Sequence, residues 1–207
     1  MWKSPWLKWF AAALCLAPLA LLAWKSWHGQ LGINSIEYVS KYTGRWALRF
    51  LWITLAITPL RRLPGLNGLI GFRRMTGLFA FLYGTVHAIH YFGWDAQWNW
   101  LVIGEDLTFR RFFIAGAIAL ALMIPLAVTS TDGWLRRLGG KRWQRLHYLI
   151  YPSALAAITH YVWQGKSLNP DPLFYAALLF LLFAARVVIA VRKRLRHRRP
   201  DPATART

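Results

Sequence analysis

Six apolar stretches of about 15 to 20 residues, the length needed to cross a hydrocarbon core of roughly 30 Å, recur along this chain of 207 residues. They cover residues 7–24, 46–60, 75–94, 112–128, 147–163 and 173–191. Backbone groups inside lipid must be hydrogen-bonded within their own segment, so runs of this kind dictate helices and exclude open strands. The fold class that follows is all-α: a polytopic membrane helix bundle of about six transmembrane helices. The second and fifth runs are short and need flanking aromatics or local bilayer thinning. No internal repeat or low-complexity segment divides the chain, so residues 1–191 read as one membrane domain and residues 192–207 as a basic tail. Turn signals fall at Leu63, Pro64, Gly65, Leu66, Asn67 and Gly68 and again at Gly139 and Gly140.

The chain is 57% hydrophobic yet carries a formal charge of +19. The two properties separate along the sequence, and the charge becomes an orientation signal. Placing alternate run ends together collects Lys3, Lys8, Arg61, Arg62, Arg73, Arg74, Arg136, Arg137, Lys141, Arg142 and Arg145 on one side. With the seven basic residues from Arg192 onward, that side holds eighteen of the twenty-six. By the positive-inside rule it is the cytoplasm, so both termini are expected there, and residues 25–45, 95–111 and 164–172 are expected to face outward. A membrane bundle with basic loops accounts for the charge without nucleic acid as a partner; the tail can contact anionic membrane lipid. The apolar run after Lys3 and Lys8 is too long for a signal peptide and lacks a convincing cleavage site, so a retained first helix is expected.

Three histidines, His87, His147 and His160, sit inside or at the rim of these runs, while all seven carboxylates lie outside them. Intramembrane ionisable groups mark function, and imidazole without carboxylate points to a metal, in a bundle usually haem iron. Cys15 is the only cysteine, so no intramolecular disulfide, iron–sulfur cluster or covalent haem attachment is available and any haem is b-type. Helical rise of about 1.5 Å per residue puts His87 roughly 18 Å and His160 roughly 20 Å from the cytoplasmic ends of their runs. The match makes His87 and His160 the candidate axial ligands of one haem towards the periplasmic side. His147 stands at the cytoplasmic rim, level with Arg73 and Arg74 where a second ligand would be needed. It could ligate another haem with a different partner, contact a flavin or quinone, or pack at the interface. On an ideal helix it points some 140° away from His160, with Pro152 a potential kink between them.

For each histidine the alternative is a hydrogen bond across helices. His90, among Tyr91, Phe92 and Trp94, reads as interface packing; His28 and His197 read as solvated or interfacial. Among the arginines, Arg45 and Arg49 could reach haem propionates by charge-assisted hydrogen bonds, and Arg73, Arg74 and Arg186 could meet a flavin phosphate or quinone head group. Snorkelling is the competing account. Arg186 lies roughly two turns from the rim, the least comfortable position among them. No G-x-G-x-x-G motif and no stretch suited to a soluble nucleotide-binding domain is present, so electrons would arrive from and leave to other molecules.

The segments YTGRWALRFL (42–51), ITPLRR (57–62), FRRMTGL (72–78), TVHAIHY (85–91), TSTDGWLRRLGGKRWQRLHYLIY (129–151) and ITHYVW (158–163) resemble the MsrQ family, formerly YedZ. The likeness runs from the first apolar run to the sixth, and the loop string from Gly139 to His147 is its most specific part. The resemblance implies a haem-binding inner-membrane subunit of the ferric-reductase and NADPH-oxidase transmembrane superfamily. It implies haem b, with flavin mononucleotide (FMN) involved, and electrons from the quinone pool or a cytosolic flavin reductase. The implied partner is MsrP, a periplasmic molybdopterin enzyme that reduces methionine sulfoxide, in a heterodimer; sulfoxide chemistry belongs to that partner. His87, His147 and His160 fall on the family's histidines. Relatives with two haems carry two histidines on each of two helices, whereas here the third run lacks the cytoplasmic one. A quinol-linked cytochrome b subunit serving another periplasmic reductase, and more remotely a transporter, are the alternatives. Spans free of Asp and Glu argue against a carboxylate relay or cation site.

Overall fold

A computed structural model describes residues 4–165 and 170–198, all of whose regular structure is helical. Lys3, residues 166–169 of the 164–172 segment and the tail beyond Arg198 lie outside the described residues. The order is α1 (Pro5–Trp27), α2 (Ser35–Leu60), a 3-10 turn (Asn67–Phe72), α3 (Arg73–His90) running into one π-helical turn (Tyr91–Asp95), α4 (Trp100–Phe109), α5 (Arg111–Val128), α6 (Asp132–Leu146), a 3-10 turn (His147–Leu149), α7 (Ile150–Gln164) and α8 (Asp171–Arg198). Four of the apolar runs each lie on one α-helix, while run 75–94 ends in the π-helical turn after α3 and run 147–163 begins in the 3-10 turn before α7. Three of the helices, Pro5–Trp27, Arg111–Val128 and Asp171–Arg192, are long and apolar enough to cross a membrane by themselves.

The core is built by two helix pairs, α2 with α3 and α5 with α7, against which α8 and α1 lean. Leu48, Leu51, Trp52 and Leu55 of α2 meet Ala80 and Tyr83 of α3, Met123 and Leu126 of α5, and Ile150, Ala154 and Ile158 of α7. In lipid such contacts gain close packing and hydrogen bonds more than they gain hydrophobic transfer. Two cross-links show it: Ser153 donates to the Ala119 carbonyl at 2.9 Å, and Thr54 donates to Thr76 at 2.9 Å.

Side chains of neighbouring helices also enter the helix ladders themselves. In α1, which contains Pro18, the fully buried Tyr83 wedges its hydroxyl into the ladder, donating to Cys15 O at 2.8 Å and accepting from Leu19 N at 3.2 Å. An inserted side chain of this kind is a recognised cause of helix bending. The outside of α1 carries exposed Trp6, Trp9, Trp24 and Trp27 at its two ends, the pattern of aromatic belts.

Three features depart from the sequence reading. The short second run is only the apolar half of α2, a helix of 26 residues that reaches back to Ser35, capped by Asn34 accepting from Glu37 N. Residues 95–111, expected only to face outward and given no helix in the sequence reading, hold α4. α4 is anchored by buried Asp106, which accepts from Tyr91 Oη at 2.6 Å and pairs with Arg110 at 2.8 Å. Pro152 does not kink α7, because it falls in the first turn, where no amide is needed. The Gly139 break is seen as a φ of 72° inside α6, and the earlier turn as a φ of 79° at Gly65.

Candidate functional site

His87 in the last turn of α3 and His160 near the end of α7 meet between the two helix pairs, towards one end of the bundle. Their ring centres lie 6.1 Å apart with planes at 76°. Two imidazoles on opposite sides of one metal have about this spacing, since metal–nitrogen bonds are about 2.0–2.1 Å and each ring centre lies about one ångström further out.

Both rings are held by the backbone of a neighbouring helix. His87 Nδ1 donates to the Ser40 carbonyl at 3.0 Å, with Thr43 Oγ1 at 3.4 Å as a second acceptor; that hydroxyl's own proton goes to Val39 O at 2.8 Å. His160 Nδ1 donates to the Phe112 carbonyl at 2.7 Å. These bonds fix the proton on Nδ1 and direct the Nε2 lone pair elsewhere, the usual second-sphere arrangement of a metal-binding histidine. Among the described residues no group of three or more His, Cys, Asp or Glu side chains gathers at one point. A closed four-ligand zinc site is not what the pair resembles. Two opposed neutral imidazoles suit the two axial positions of a haem, whose ring supplies the other four ligands.

Arg45 and Arg49 lie one turn apart in the middle of α2, just beyond Gly44. Arg49 Nε donates to Tyr175 Oη at 3.0 Å and its guanidinium lies 4.7 Å over Trp46. Arg45 Nε donates to Lys41 O at 3.3 Å, with Asp171 at 3.9 Å. His90 is buried and stacked on Trp94 at 5.4 Å, and its Nδ1 has no hydrogen-bond partner among the described residues. His28 is exposed and stacked on Trp24, while the side chain of His197 lies outside the described residues.

The opposite end holds His147. Its ring stacks on Trp143 at 3.7 Å, Nδ1 faces the Trp143 carbonyl at 3.0 Å, and Nε2 is buried without a partner among the described residues. The charges of Arg73 and Arg74 reach it. Arg74 is bonded to Asp132 at 2.6 Å, and Arg73 lies in the field of Arg186, Tyr151 and Arg61. From α8, Arg186 donates to Tyr151 Oη at 2.7 Å and to Leu55 O at 2.6 Å, lies over the Tyr151 ring at 5.3 Å, and keeps a buried Nε with no partner among the described residues. Leu55 O is available because Pro59, four residues on, has no amide to give it. Arg186 is therefore in part a structural plug, with one donor left over.

Sequence reasoning missed the seats of the two imidazoles, Gly44 and Gly116, which lie against His87 and His160. A signal was present: a glycine in a helix interior costs about 1 kcal/mol relative to alanine, so each asks for a packing reason. The sequence does not say which neighbour supplies it.

Residues 43–158 match the family described as the ferric reductase like transmembrane component. Curated relatives extend the likeness over most of the chain. A protein of Xanthomonas campestris pv. campestris (strain 8004) is 46% identical over 203 residues, spanning 94% of this chain and 93% of its own length. One of Rhodospirillum rubrum is 45% identical over 187 residues, 90% of each. Both bear the name protein-methionine-sulfoxide reductase heme-binding subunit MsrQ.

Proposed function

Since this chain belongs to the ferric-reductase-like transmembrane family and, within it, to the MsrQ subunits, we propose that it is a b-type haem electron-transfer subunit of a protein-methionine-sulfoxide reductase. The observation that carries this reading is the opposed His87 and His160 pair, each with Nδ1 tied to a carbonyl of a different helix. His87 and His160 would hold the iron, which supplies reversible one-electron oxidation and reduction when bound. The residues do the rest. The carbonyls of Ser40 and Phe112 keep both imidazoles in the ligating tautomer, the surrounding helices keep water away, and Arg45 and Arg49 supply positive charge for the propionates.

The reading extends to topology. Six helices cross the bacterial inner membrane with both termini cytoplasmic, residues 1–191 form the haem domain, and residues 192–207 form a basic tail on the membrane surface. The His87 end then faces the periplasm, where electrons pass to a periplasmic molybdopterin catalytic subunit, MsrP, in a heterodimer that repairs oxidised proteins. The Arg73 end faces the donor, the quinone pool or a cytosolic flavin reductase. Arg73, Arg74, Arg186 and His147 there suit an anionic or oxygen-rich group, an FMN phosphate or a quinone head group. The buried, unpartnered His147 Nε2 and Arg186 Nε support a ligand at that end.

The deciding experiment is purification of the full chain with its haem. A reducible b-type spectrum is expected, lost in both His87→Ala and His160→Ala; the same spectrum in both variants would refute the ligand assignment. Flavin release on denaturation tests the FMN part, and co-purification with a periplasmic molybdoenzyme tests the partner.

A further inference from the structure

The two imidazoles are seated in the same way on two different helix pairs. His87, from α3, lies on α2 at Gly44, where a Cβ would stand 3.2 Å from Cε1 and 3.3 Å from Nδ1. His160, from α7, lies on α5 at Gly116, where a Cβ would stand 2.7 Å from Nδ1, 3.0 Å from Cε1 and 3.2 Å from Cγ. In each case the carbonyl that receives Nδ1–H belongs to the residue four before the glycine, Ser40 for Gly44 and Phe112 for Gly116. Four residues is the α-helical hydrogen-bond step, so that carbonyl already accepts the glycine's own amide and offers the histidine its second lone pair. A helical Cβ leans towards the helix N-terminus and shades the turn before it. Glycine is thus the one residue that leaves this lone pair open to a ring lying flat on the helix.

We propose that Gly44 and Gly116 are positioning residues that notch α2 and α5 so that His87 and His160 each dock on the uncovered carbonyl four residues back. The notches set the tautomer, the spacing and the crossed planes of the two rings. This inference rests on the reading of His87 and His160 as axial ligands. The two notches are unequal. At Gly44 a methyl group needs the ring to give by a few tenths of an ångström, whereas at Gly116 it would overlap the nitrogen that makes the bond.

The test uses the full-length haem-loaded protein and compares wild type with Gly116→Ala, Gly44→Ala and Gly77→Ala. The last is a control, because a Cβ there makes only ordinary contact, 3.5 Å from Thr54 Cγ2. The readouts are haem affinity, the low-spin ferric electron paramagnetic resonance signal and the midpoint potential. Crossed imidazole planes predict a strongly anisotropic signal with a large leading g value in wild type. Loss of an Nδ1 partner makes the ligand less electron-rich, so the potential rises in the variants, and haem affinity falls by roughly 10–100-fold, as for other second-sphere losses. The order expected is Gly116→Ala, then Gly44→Ala, with Gly77→Ala like wild type. If Gly116→Ala does not fold, Gly44→Ala carries the test through its shifted signal and potential. Wild-type protein whose spectrum is indifferent to His87→Ala and His160→Ala would overturn the ligand reading itself. Loss of the spectrum in those two, with Gly44→Ala and any folded Gly116→Ala matching Gly77→Ala, overturns only the notches.

Discussion

The two ends of the bundle solve different problems with different chemistry. At the His87 end two neutral rings face each other and take their orientation from backbone carbonyls on α2 and α5. At the other end one histidine feels the charges of Arg73 and Arg74, Arg73 in turn feels Arg186, the nearby carboxylate is exposed Asp132, and two buried nitrogens lack partners among the described residues. Backbone carbonyls on rigid helices give fixed geometry, which suits a metal whose ligands must not wander. Long cationic side chains give charge and adaptability, which suits a group that arrives and departs. On the proposed function the fixed end is the haem that delivers electrons, and the cationic end is where they are received.

The largest effect expected from this contrast is spectroscopic. His87→Ala or His160→Ala should remove the low-spin signal of the opposed pair, while His147→Ala should leave that signal in place and slow only reduction by the donor. Stopped-flow reduction by a quinol analogue, set beside the dithionite-reduced spectrum, separates the two outcomes. Loss of the same signal in His147→Ala would erase the distinction between the ends.

An intermediate effect is expected at Arg186. Replacing it with Leu leaves Leu55 O without a donor, because Pro59 cannot provide one, and also unpairs Tyr151 Oη. Hydrogen bonds to charged groups contribute about 1.5–3 kcal/mol in soluble proteins, while interhelical ones in membranes average about 0.6 kcal/mol. A loss of roughly 1–2 kcal/mol, between those bounds, should show as a lower melting temperature in detergent. Pro59→Ala restores an amide four residues beyond Leu55. In the Arg186→Leu background it should recover part of the loss, an interaction that a double-mutant cycle measures. Additive losses would mean that the stranded carbonyl is not what Arg186 serves.

The parts of this architecture legible in the sequence are those governed by one helix at a time. Helical rise is local, so counting from the basic ends put His87 and His160 at one level, and the structure brings their rings together. Run length is local too, and every apolar run is helical along its length, two of them with a 3-10 or π turn at one end. Pairwise facts were not legible. The Asp106–Arg110 pair is at local helical spacing, but the buried role of Asp106 depends on Tyr91 reaching α4 from the π-helical turn, which spacing does not show. Pro59 announces a free carbonyl four residues earlier, but only the packing of α8 on α2 shows that Arg186 fills it. Gly44 and Gly116 are open positions until α3 and α7 are known to lie on them.

The smallest effect lies at the surface of the cationic end. The hydrogen bond from Arg74, and next its charge, hold the Asp132 carboxyl below its ordinary value of 3.8. A folded-state pKa that is depressed means the pair's contribution is present above the unfolded value and is lost as pH falls through the folded one. Melting curves of wild type should therefore decline slightly as the pH drops below about 4, a decline that Asp132→Asn lacks. The pair is exposed, so salt should shrink the difference, and the low-spin signal at the His87 end should not change. Equal acid profiles for wild type and Asp132→Asn at low salt would show that Arg74 gains nothing from its carboxylate. The cationic end would then be electrostatically unanchored, and the contrast with the carbonyl-fixed imidazoles would be sharper still.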